Sequence, residues 1–177
     1  MNMGINMLPI QNSYWVIHGR FMAGEHPAIG STDGIKLRLR WLIGQGINFI
    51  MDLTESGEAD VDYPIFIQNE AATSGIQITY QRFPIQDWHS PSQEKMVEIL
   101  ETIDGALSEG KNTYLHCYGG LGRTGMTVGC YLVRRGYPGN EALAMIMKLR
   151  SEIPGTQKLS PETAAQRKMV MEWIKGR

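Results

Sequence analysis

The sequence predicts a single α/β domain in which helices flank a mostly parallel central sheet and the C-terminal third is helical. Strand patterns alternate with capped amphipathic helices, as in sheets whose strands are joined by crossover helices. The chain has 177 residues, enough for one sizeable core. We expect residues 1–177 to form one domain, with residues 1–13 as a flexible N-terminal segment.

The first half of the chain alternates between strand and helix patterns. Tyr14–Gly24 ("YWVIHGRFMAG") predicts two short strands separated at Gly19, and a helix capped within residues 31–33 should follow. The run "INFIMDL" is apolar on both faces and predicts a buried strand. A short helix over "IFIQNEAATSG" and an alternating strand over "IQITYQRFPI" come next.

Helices dominate the second half. We expect Ser90 to cap an amphipathic helix, with Pro91 at its first position and Gln93 in a capping box. A short strand, "NTYLH", then leads into a glycine-rich loop. Three helices should follow, beginning near Arg123, Asn140 and Ser160–Pro161.

Composition excludes several classes of protein. A net charge of −1 gives no overall basic field, so we expect no nucleic-acid partner. The chain has only two cysteines and no signal-peptide pattern, which favours a reducing cytoplasm. No apolar run is long enough to span a bilayer, so we expect no stable membrane association, and we expect a monomer.

The loop in "YLHCYGGLGRTG", Tyr114–Gly125, allows three interpretations. "GLGRTG" spells the dinucleotide-binding pattern, but a helical segment, "NEALAMIMKLR", stands where that fold needs a second strand. A nucleotide-hydrolase phosphate loop needs a lysine before its Ser or Thr, and this loop has Arg123 there instead. Both nucleotide interpretations are therefore disfavoured.

The third interpretation begins with Cys117, at the end of a strand and just before a helix. Backbone N–H groups of residues 118–124 can form an anion-binding nest there, and the helix dipole adds roughly half a positive charge. Arg123 follows six residues after Cys117 and can grip two oxygens of a phosphate. This field favours the nucleophilic thiolate, and the Thr124 hydroxyl can stabilise the sulfur.

The segment "HCYGGLGRTG" resembles the signature H-C-x-x-G-x-x-R-[ST]-G of cysteine-dependent protein tyrosine and dual-specificity phosphatases. The matching positions are His116, Cys117, Gly120, Arg123, Thr124 and Gly125. Upstream, "FPIQDWHSPS" and, more loosely, "RFMAGEHP" and "FIMDLTESGE" resemble compact bacterial dual-specificity members. The resemblance covers most of the chain from about Trp15.

The resemblance implies a role for each matched residue. Cys117 would be the nucleophile, and Asp87, which lies 30 residues earlier, would be the general acid on a mobile loop. The usual Trp-Pro-Asp spelling is absent, and Asp87 also fits an ordinary turn residue. His116 would support the loop. The substrate phosphate would contact Tyr118, Gly119, Gly120, Leu121, Gly122 and Arg123.

Several further side chains have two interpretations each. Gln166 resembles the family glutamine that orients the attacking water, but it also fits a solvated helix residue. Asp52 is expected to be a loop or cap residue, and Glu55 and Glu58 to border the substrate entrance. We place His18 and His26 at the surface and Cys130 in the core. No group of side chains has metal-ligand spacing, so we expect neither a metal nor a cofactor.

The function predicted is hydrolysis of phosphotyrosine in proteins through a cysteinyl-phosphate, with phosphoserine and phosphothreonine as further candidate substrates. The alternative is a phosphoinositide or inositol phosphate cleaved by the same chemistry. The residues between Cys117 and Arg123 are uncharged, which argues for a less anionic substrate than an inositol phosphate. Lys36, Arg38 and Arg40 could nevertheless supply positive charge from another part of the chain. A catalytically silent phosphate-binding module is disfavoured, because cysteine, arginine and acid are all present.

Overall fold

The computed structural model describes residues 9–59, 61–153 and 158–177. These residues form five strands and six helices. In chain order they are β1 Ser13–Ile17, β2 Phe21–Gly24, α1 Thr32–Gly44, β3 Phe49–Asp52, α2 Tyr63–Thr73, β4 Thr79–Arg82, α3 Gln93–Ser108, β5 Thr113–His116, α4 Gly122–Arg134, α5 Gly139–Leu149 and α6 Ala164–Glu172.

The strands form one sheet in the order β1-β2-β5-β3-β4. β1 pairs antiparallel with β2, while the β2–β5, β5–β3 and β3–β4 pairings are parallel. Gly19 makes the turn between β1 and β2 with a φ of 72°, a backbone conformation that glycine adopts without strain. The predicted fold class, a mostly parallel sheet followed by a helical C-terminal third, is confirmed.

Helices cover both faces of the sheet. Successive strand residues point to opposite faces, so Phe21 and Ala23 of β2 pack with α3, α4, α5 and α6, while Met22 packs with α1 and α2. Burial on both faces explains why strands such as β3 are apolar at nearly every position rather than alternating.

The register of the sheet brings the ends of four strands together. His116, the last residue of β5, lies opposite Gly24 of β2 and Asp52 of β3, and Asp52 lies opposite Arg82 of β4. These strands run parallel, so the loops that leave them meet at one edge of the sheet. Ligands bind in sheets of this kind beyond the carboxyl ends of the strands.

Three helices begin at other residues than the sequence suggests. Ser92 rather than Ser90 caps α3, because its side chain accepts a hydrogen bond from Lys95 N at 3.1 Å. α5 begins at Gly139 after Pro138, with no side-chain cap, rather than at Asn140. α6 begins after Thr163, several residues beyond Ser160, since Thr163 and Gln166 form a capping box.

Part of the segment predicted to be flexible packs against the domain. Residues 1–8 of that segment lie outside the described residues. Ile10, in contrast, is fully buried on the α1–α2 side of the sheet, and Ser13 begins β1. None of the helices in the described part of the chain combines the length and apolar character needed to cross a bilayer.

Candidate active site

The glycine-rich loop connects β5 to α4, with Cys117 directly after the strand. Cys117 is buried, with 3% of its surface exposed. Two carbonyls of the loop are drawn toward the body of the protein: Tyr118 O accepts from His26 N at 2.9 Å, and Leu121 O accepts from Ser160 Oγ at 2.7 Å. The N–H of a trans peptide points opposite to its C=O, so the amides that follow these carbonyls face away from the protein body. With the N-terminus of α4, they form a cradle suited to an anion.

Two glycines of this segment are required by close contacts. Gly120 has a φ of 69°, and a Cβ there would lie 2.5 Å from backbone atoms of Gly24 and Glu25. At Gly125 in α4 a Cβ would lie 2.0 Å from Ser160 Oγ. A side chain at either position would push the loop away from the segments that hold its carbonyls.

Arg123 lies in the first turn of α4, with 1% of its surface exposed. Its Nη1 donates to Glu58 Oε1 at 2.6 Å and to Ile85 O at 3.0 Å. Its Nη2 donates to Glu58 Oε2 at 2.7 Å and lies 3.1 Å from Asp87 Oδ1. Within the described residues, Nε of Arg123 has no hydrogen-bond partner. The guanidinium is therefore held along one edge by Glu58.

This arrangement leaves the other edge of Arg123 for a substrate. A phosphate can be gripped by two parallel N–H groups of a guanidinium. Nε–H and the Nη2–H that is not used by Glu58 form such a pair, while Glu58 keeps its own two contacts. Because Nη2 also lies 3.1 Å from Asp87 Oδ1, a bound phosphate would compete with the Asp87 carboxylate for Arg123.

Glu58 is the main site residue whose contact the sequence does not reveal. It was expected only to border the entrance, yet it forms a two-point ion pair with Arg123. Burial alone would raise the pKa of Glu58, but hydrogen bonds from Arg123 and the backbone of Glu55 leave that pKa below its ordinary value. Burial also opposes the charge of Arg123, whereas Glu58 and the nearby Cys117 raise the pKa of Arg123. Both groups therefore stay charged near neutral pH.

Asp87 lies on the exposed loop that follows β4, at the same edge of the sheet as Cys117. Its Oδ1 accepts from the N–H of Trp88 at 3.0 Å as well as pairing with Arg123. Trp88 has a φ of 65°, which is strained for a bulky residue, and 59% of its surface is exposed. Asp87 is thus a turn residue, since His89 N donates to Gln86 O at 3.1 Å across it, and its carboxylate also reaches the arginine of the loop.

His116 and Thr124 lie on either side of the loop and are fully buried. Nδ1 of His116 is 3.2 Å from Cys117 O, so it acts as the donor to that carbonyl. Burial lowers the pKa of His116, although Asp52 acts in the opposite direction, and the ring is neutral. The Thr124 hydroxyl donates to Gly24 O at 3.4 Å, so its predicted contact with the sulfur requires the hydroxyl to turn.

Gln166 and Glu162 come from the segment around the start of α6. Gln166 is 1% exposed, so the alternative of a solvated helix residue is wrong. Its Oε1 completes the capping box, and its Nε2 donates to His89 O, on the Asp87 loop, at 3.3 Å. Glu162, which the sequence analysis did not single out, accepts from the Gly122 backbone; burial and the neighbouring Asp87 raise its pKa.

His26 corrects one expectation, since it is buried rather than at the surface. Its Nδ1 accepts from Ala28 N at 3.0 Å, and its ring packs on His116 with the ring centroids 4.7 Å apart. Burial, reinforced by His116, lowers the pKa of His26 to about 3, so the ring is neutral. His18 is exposed, as expected.

His26 and His116 also lie close to Asp52, with one potential ligand atom of each within 4.8 Å of the others. Nε2 of each histidine has no hydrogen-bond partner within the described residues, but the carboxylate of the cluster is fully engaged. Asp52 accepts from Thr54 at 2.6 and 2.8 Å, from Tyr80 at 2.7 Å and from Arg82 at 3.2 Å. A cation would have to displace these donors beside the positive charge of Arg82, so we assign the cluster to packing beneath the loop.

A strand, loop and helix that carry a buried cysteine and, six residues later, a buried arginine point to one class of protein. A family model described as "Polymorphic toxin system, DSP-PTPase phosphatase" matches residues 25–137. That range is more than half of the chain, so the chain belongs to this family of cysteine-dependent dual-specificity phosphatases. The resemblance inferred from "HCYGGLGRTG" is confirmed.

Individual relatives are similar over part of their length. The chain is 36% identical over 95 residues to Arabidopsis thaliana "Phosphatidylinositol 3,4,5-trisphosphate 3-phosphatase and protein-tyrosine-phosphatase PTEN1", covering 52% of this chain and 22% of that protein. It is 33% identical over 92 residues to a putative tyrosine phosphatase of Invertebrate iridescent virus 3, covering 49% of this chain and 34% of that protein. The chain thus aligns with 22% and 34% of the length of these two relatives.

Solved structures share the fold over nearly the whole chain. Tk-PTP in its active form is 27% identical, with a TM-score of 0.67, and the match covers 92% of this chain and 95% of that one. Kinase associated phosphatase has a TM-score of 0.71 at 22% identity, covering 86% and 84% of the two chains. At that identity the second match shows the fold alone.

Proposed function

We propose that this chain hydrolyses phosphate monoesters of phosphotyrosine in proteins through a cysteinyl-phosphate, and that phosphoserine and phosphothreonine are further substrates. The observation that carries the proposal is the position of Cys117, buried at the base of an amide-lined loop whose Arg123 is fixed by Glu58. A loop that only stored a phosphate would need no thiol there. Family membership supports the same chemistry.

In the first step the Cys117 thiolate attacks phosphorus and forms an S–P bond. The ester P–O bond breaks, and Asp87 gives its proton to the leaving oxygen. Arg123 and the loop amides stabilise the charge on the other phosphoryl oxygens. Because Nη2 of Arg123 lies 3.1 Å from Asp87 Oδ1, a bound phosphate would compete with Asp87 for this guanidinium and leave Asp87 to act on the leaving group.

In the second step a water molecule attacks the phosphocysteine. Asp87, now a carboxylate, takes the proton from water, the S–P bond breaks, and inorganic phosphate leaves with the thiolate restored. In the proposal Gln166 helps to orient this water molecule, because its buried amide contacts the backbone of the loop that carries Asp87. Thr124 would stabilise the departing sulfur once its hydroxyl turns from Gly24 O.

The charges around the site favour a protein substrate over a phosphoinositide. Three carboxylates, those of Glu58, Asp87 and Glu162, act on Arg123 and would repel further phosphates on a substrate. Two of the three basic residues considered for a lipid headgroup have other contacts: Arg38 donates to Pro27 O, and Arg40 pairs with Glu70 at 2.7 Å. The Arabidopsis thaliana relative is named for both a lipid and a protein activity, so the experiment compares the two kinds of substrate directly.

The experiment is a substrate panel with the full chain. Phosphate release is measured from a phosphotyrosine peptide, a phosphothreonine peptide and phosphatidylinositol 3,4,5-trisphosphate, and acid-quenched enzyme is searched by mass spectrometry for phosphate on Cys117. We expect the highest kcat/KM on the phosphotyrosine peptide. Preference for the lipid would establish the alternative, and no turnover of any substrate would contradict the proposed activity.

Replacing Asp87 by asparagine should lower kcat on an alkyl phosphate by about 10²–10⁴-fold, the usual contribution of a positioned general acid. The loss should be smaller on an aryl phosphate with a good leaving group, which needs less protonation. Asp33→Asn, at the exposed start of α1, is the control. An equal loss on both leaving groups would contradict the role of Asp87 as acid.

The proposal also includes the domain organisation, the oligomeric state and the cellular compartment of the protein. We propose that residues 1–177 act as one phosphatase domain, supported by the packing of all described helices on the two faces of one sheet. We further propose a monomer, working in the cytoplasm on phosphorylated proteins or peptides. Support for the reducing compartment comes from Cys117 and Cys130, which are both free thiols.

A further inference from the structure

The phosphate loop has a second anchor, which comes from the segment before β1. The side-chain amide Nδ2 of Asn12 donates to the carbonyl of Gly119. Asn12 lies outside the residues 25–137 that the family model matches, and the sequence placed it in a flexible segment. The contact joins residues that are 107 positions apart in the chain.

Asn12 is itself held from three directions. Its Oδ1 accepts from Nη2 of Arg150 at 3.2 Å, and Arg150 is 2% exposed. Its backbone O accepts from Glu25 N at 2.9 Å, and its backbone N donates to Glu25 Oε1 at 3.5 Å. Because Oδ1 is engaged by a guanidinium, which only donates, the amide has one orientation, with Nδ2 toward Gly119.

This contact determines the direction of one peptide of the loop. The carbonyl of Gly119 and the N–H of Gly120 belong to the same planar peptide and point in opposite directions. Drawing the carbonyl toward Asn12 therefore turns the Gly120 N–H away from it, just as the bond from His26 N to Tyr118 O turns the N–H of Gly119. Gly120 has a φ of 69°, so without such a restraint its peptide has other conformations open to it.

We propose that Asn12 is a positioning residue for the phosphate loop: anchored by Arg150, its amide holds the Gly119 carbonyl so that the Gly120 N–H faces the bound phosphate. The inference rests on the proposed function for the identity of the ligand. It assigns to the segment before β1 a direct part in shaping the site, although Asn12 does not touch the substrate.

The test uses the isosteric variant Asn12→Asp in the full chain. Aspartate keeps the volume of asparagine and an oxygen that can accept from Arg150. It lacks the N–H donor, however, and places a negative charge next to the Gly119 carbonyl. The control is Asn112→Asp. Asn112 also donates from Nδ2 to a glycine carbonyl, Gly46 O, at 3.0 Å, but it precedes β5 and lies at the opposite end of that strand from Cys117.

Two quantities are measured: the dissociation constant of inorganic phosphate, and kcat and KM on an aryl phosphate. For Asn12→Asp we expect phosphate binding and kcat/KM each to weaken by roughly tenfold, the size of one hydrogen bond, with no such change for Asn112→Asp. Asn12→Ala should show a similar loss, and it takes the place of the aspartate variant if that does not fold.

The proposal is wrong if phosphate affinity stays at the wild-type value in both Asn12 variants, even where their melting temperatures fall, because a purely structural residue would give that pattern. An equal loss in the Asn112 control would also overturn it. Failure of the proposed function gives a different result: the wild-type chain would bind phosphate but release none from any substrate, while the binding measurement would still test Asn12.

Discussion

Replacing Cys117 by serine should abolish phosphate release from every substrate, a loss on the order of 10⁴-fold or more. The serine hydroxyl stays protonated near neutral pH, and this site provides no dedicated base within the described contacts of Cys117 to activate it. The cradle does not depend on the sulfur, since its carbonyls are held by His26 and Ser160. The variant should therefore still bind inorganic phosphate, and a phosphotyrosine peptide should remain bound without being cleaved.

Cys130→Ala is the matched control, because it removes the other cysteine of the chain. Cys130 is fully buried in α4, and burial raises the pKa of its thiol, so it stays a neutral core residue. The measurements are turnover and peptide binding for both variants. Turnover near the wild-type rate in Cys117→Ser would rule out a cysteinyl-phosphate on Cys117. Activity that is lost in Cys130→Ala but kept in Cys117→Ser would show that Cys117 is not the nucleophile.

Replacing Arg123 by lysine should lower kcat/KM by about 10²–10³-fold or more, the cost of removing a donor that stabilises the transition state. Lysine keeps the charge but not the planar fork, so it cannot hold Glu58 at two points, donate to Ile85 O and present a parallel N–H pair to phosphate. The affinity for inorganic phosphate should fall as well, because the same N–H pair binds the ground state.

The control for this prediction is Arg40→Lys. Arg40 also pairs with a glutamate, Glu70, at 2.7 Å, but the pair lies between α1 and α2 and the arginine side chain is 58% exposed. We expect no change in activity there, since a lysine can replace the single contact of an exposed pair. Full activity in Arg123→Lys would show that the charge, rather than the fork, is what the reaction uses.

The fold followed from local patterns because each pattern reports burial directly. The apolar run of β3 indicated a strand covered on both faces, and Met96, Leu100 and Ile103 gave α3 its inner face. Helix starts were less predictable. Ser90 was expected to cap α3 and Ser160 to begin α6, yet Ser160 instead donates to Leu121 O, a contact across 39 residues that no local pattern encodes.

The residues around the loop also divide into those that the sequence predicts and those that only the tertiary structure brings to the site. The placement of Cys117 and Arg123 on one loop could be predicted from their spacing, because only six positions of one segment separate them. Glu58, Asn12 and Gln166 reach the site from three other segments. His26 was misplaced for the same reason: a histidine in a loop is usually exposed, and only the packing of that loop beneath residues 116–118 buries it.

By itself, the sequence determined the fold class and the chemistry of one loop. A strand, a cysteine, four glycines and an arginine are adjacent in the chain, so their geometry is local. The tertiary structure alone decided which way the loop peptides face, which edge of Arg123 is left for phosphate and where Asp87 lies before substrate binds. Those features depend on hydrogen bonds between residues far apart in the chain, which form only when the parallel strands bring four loops to one edge of the sheet.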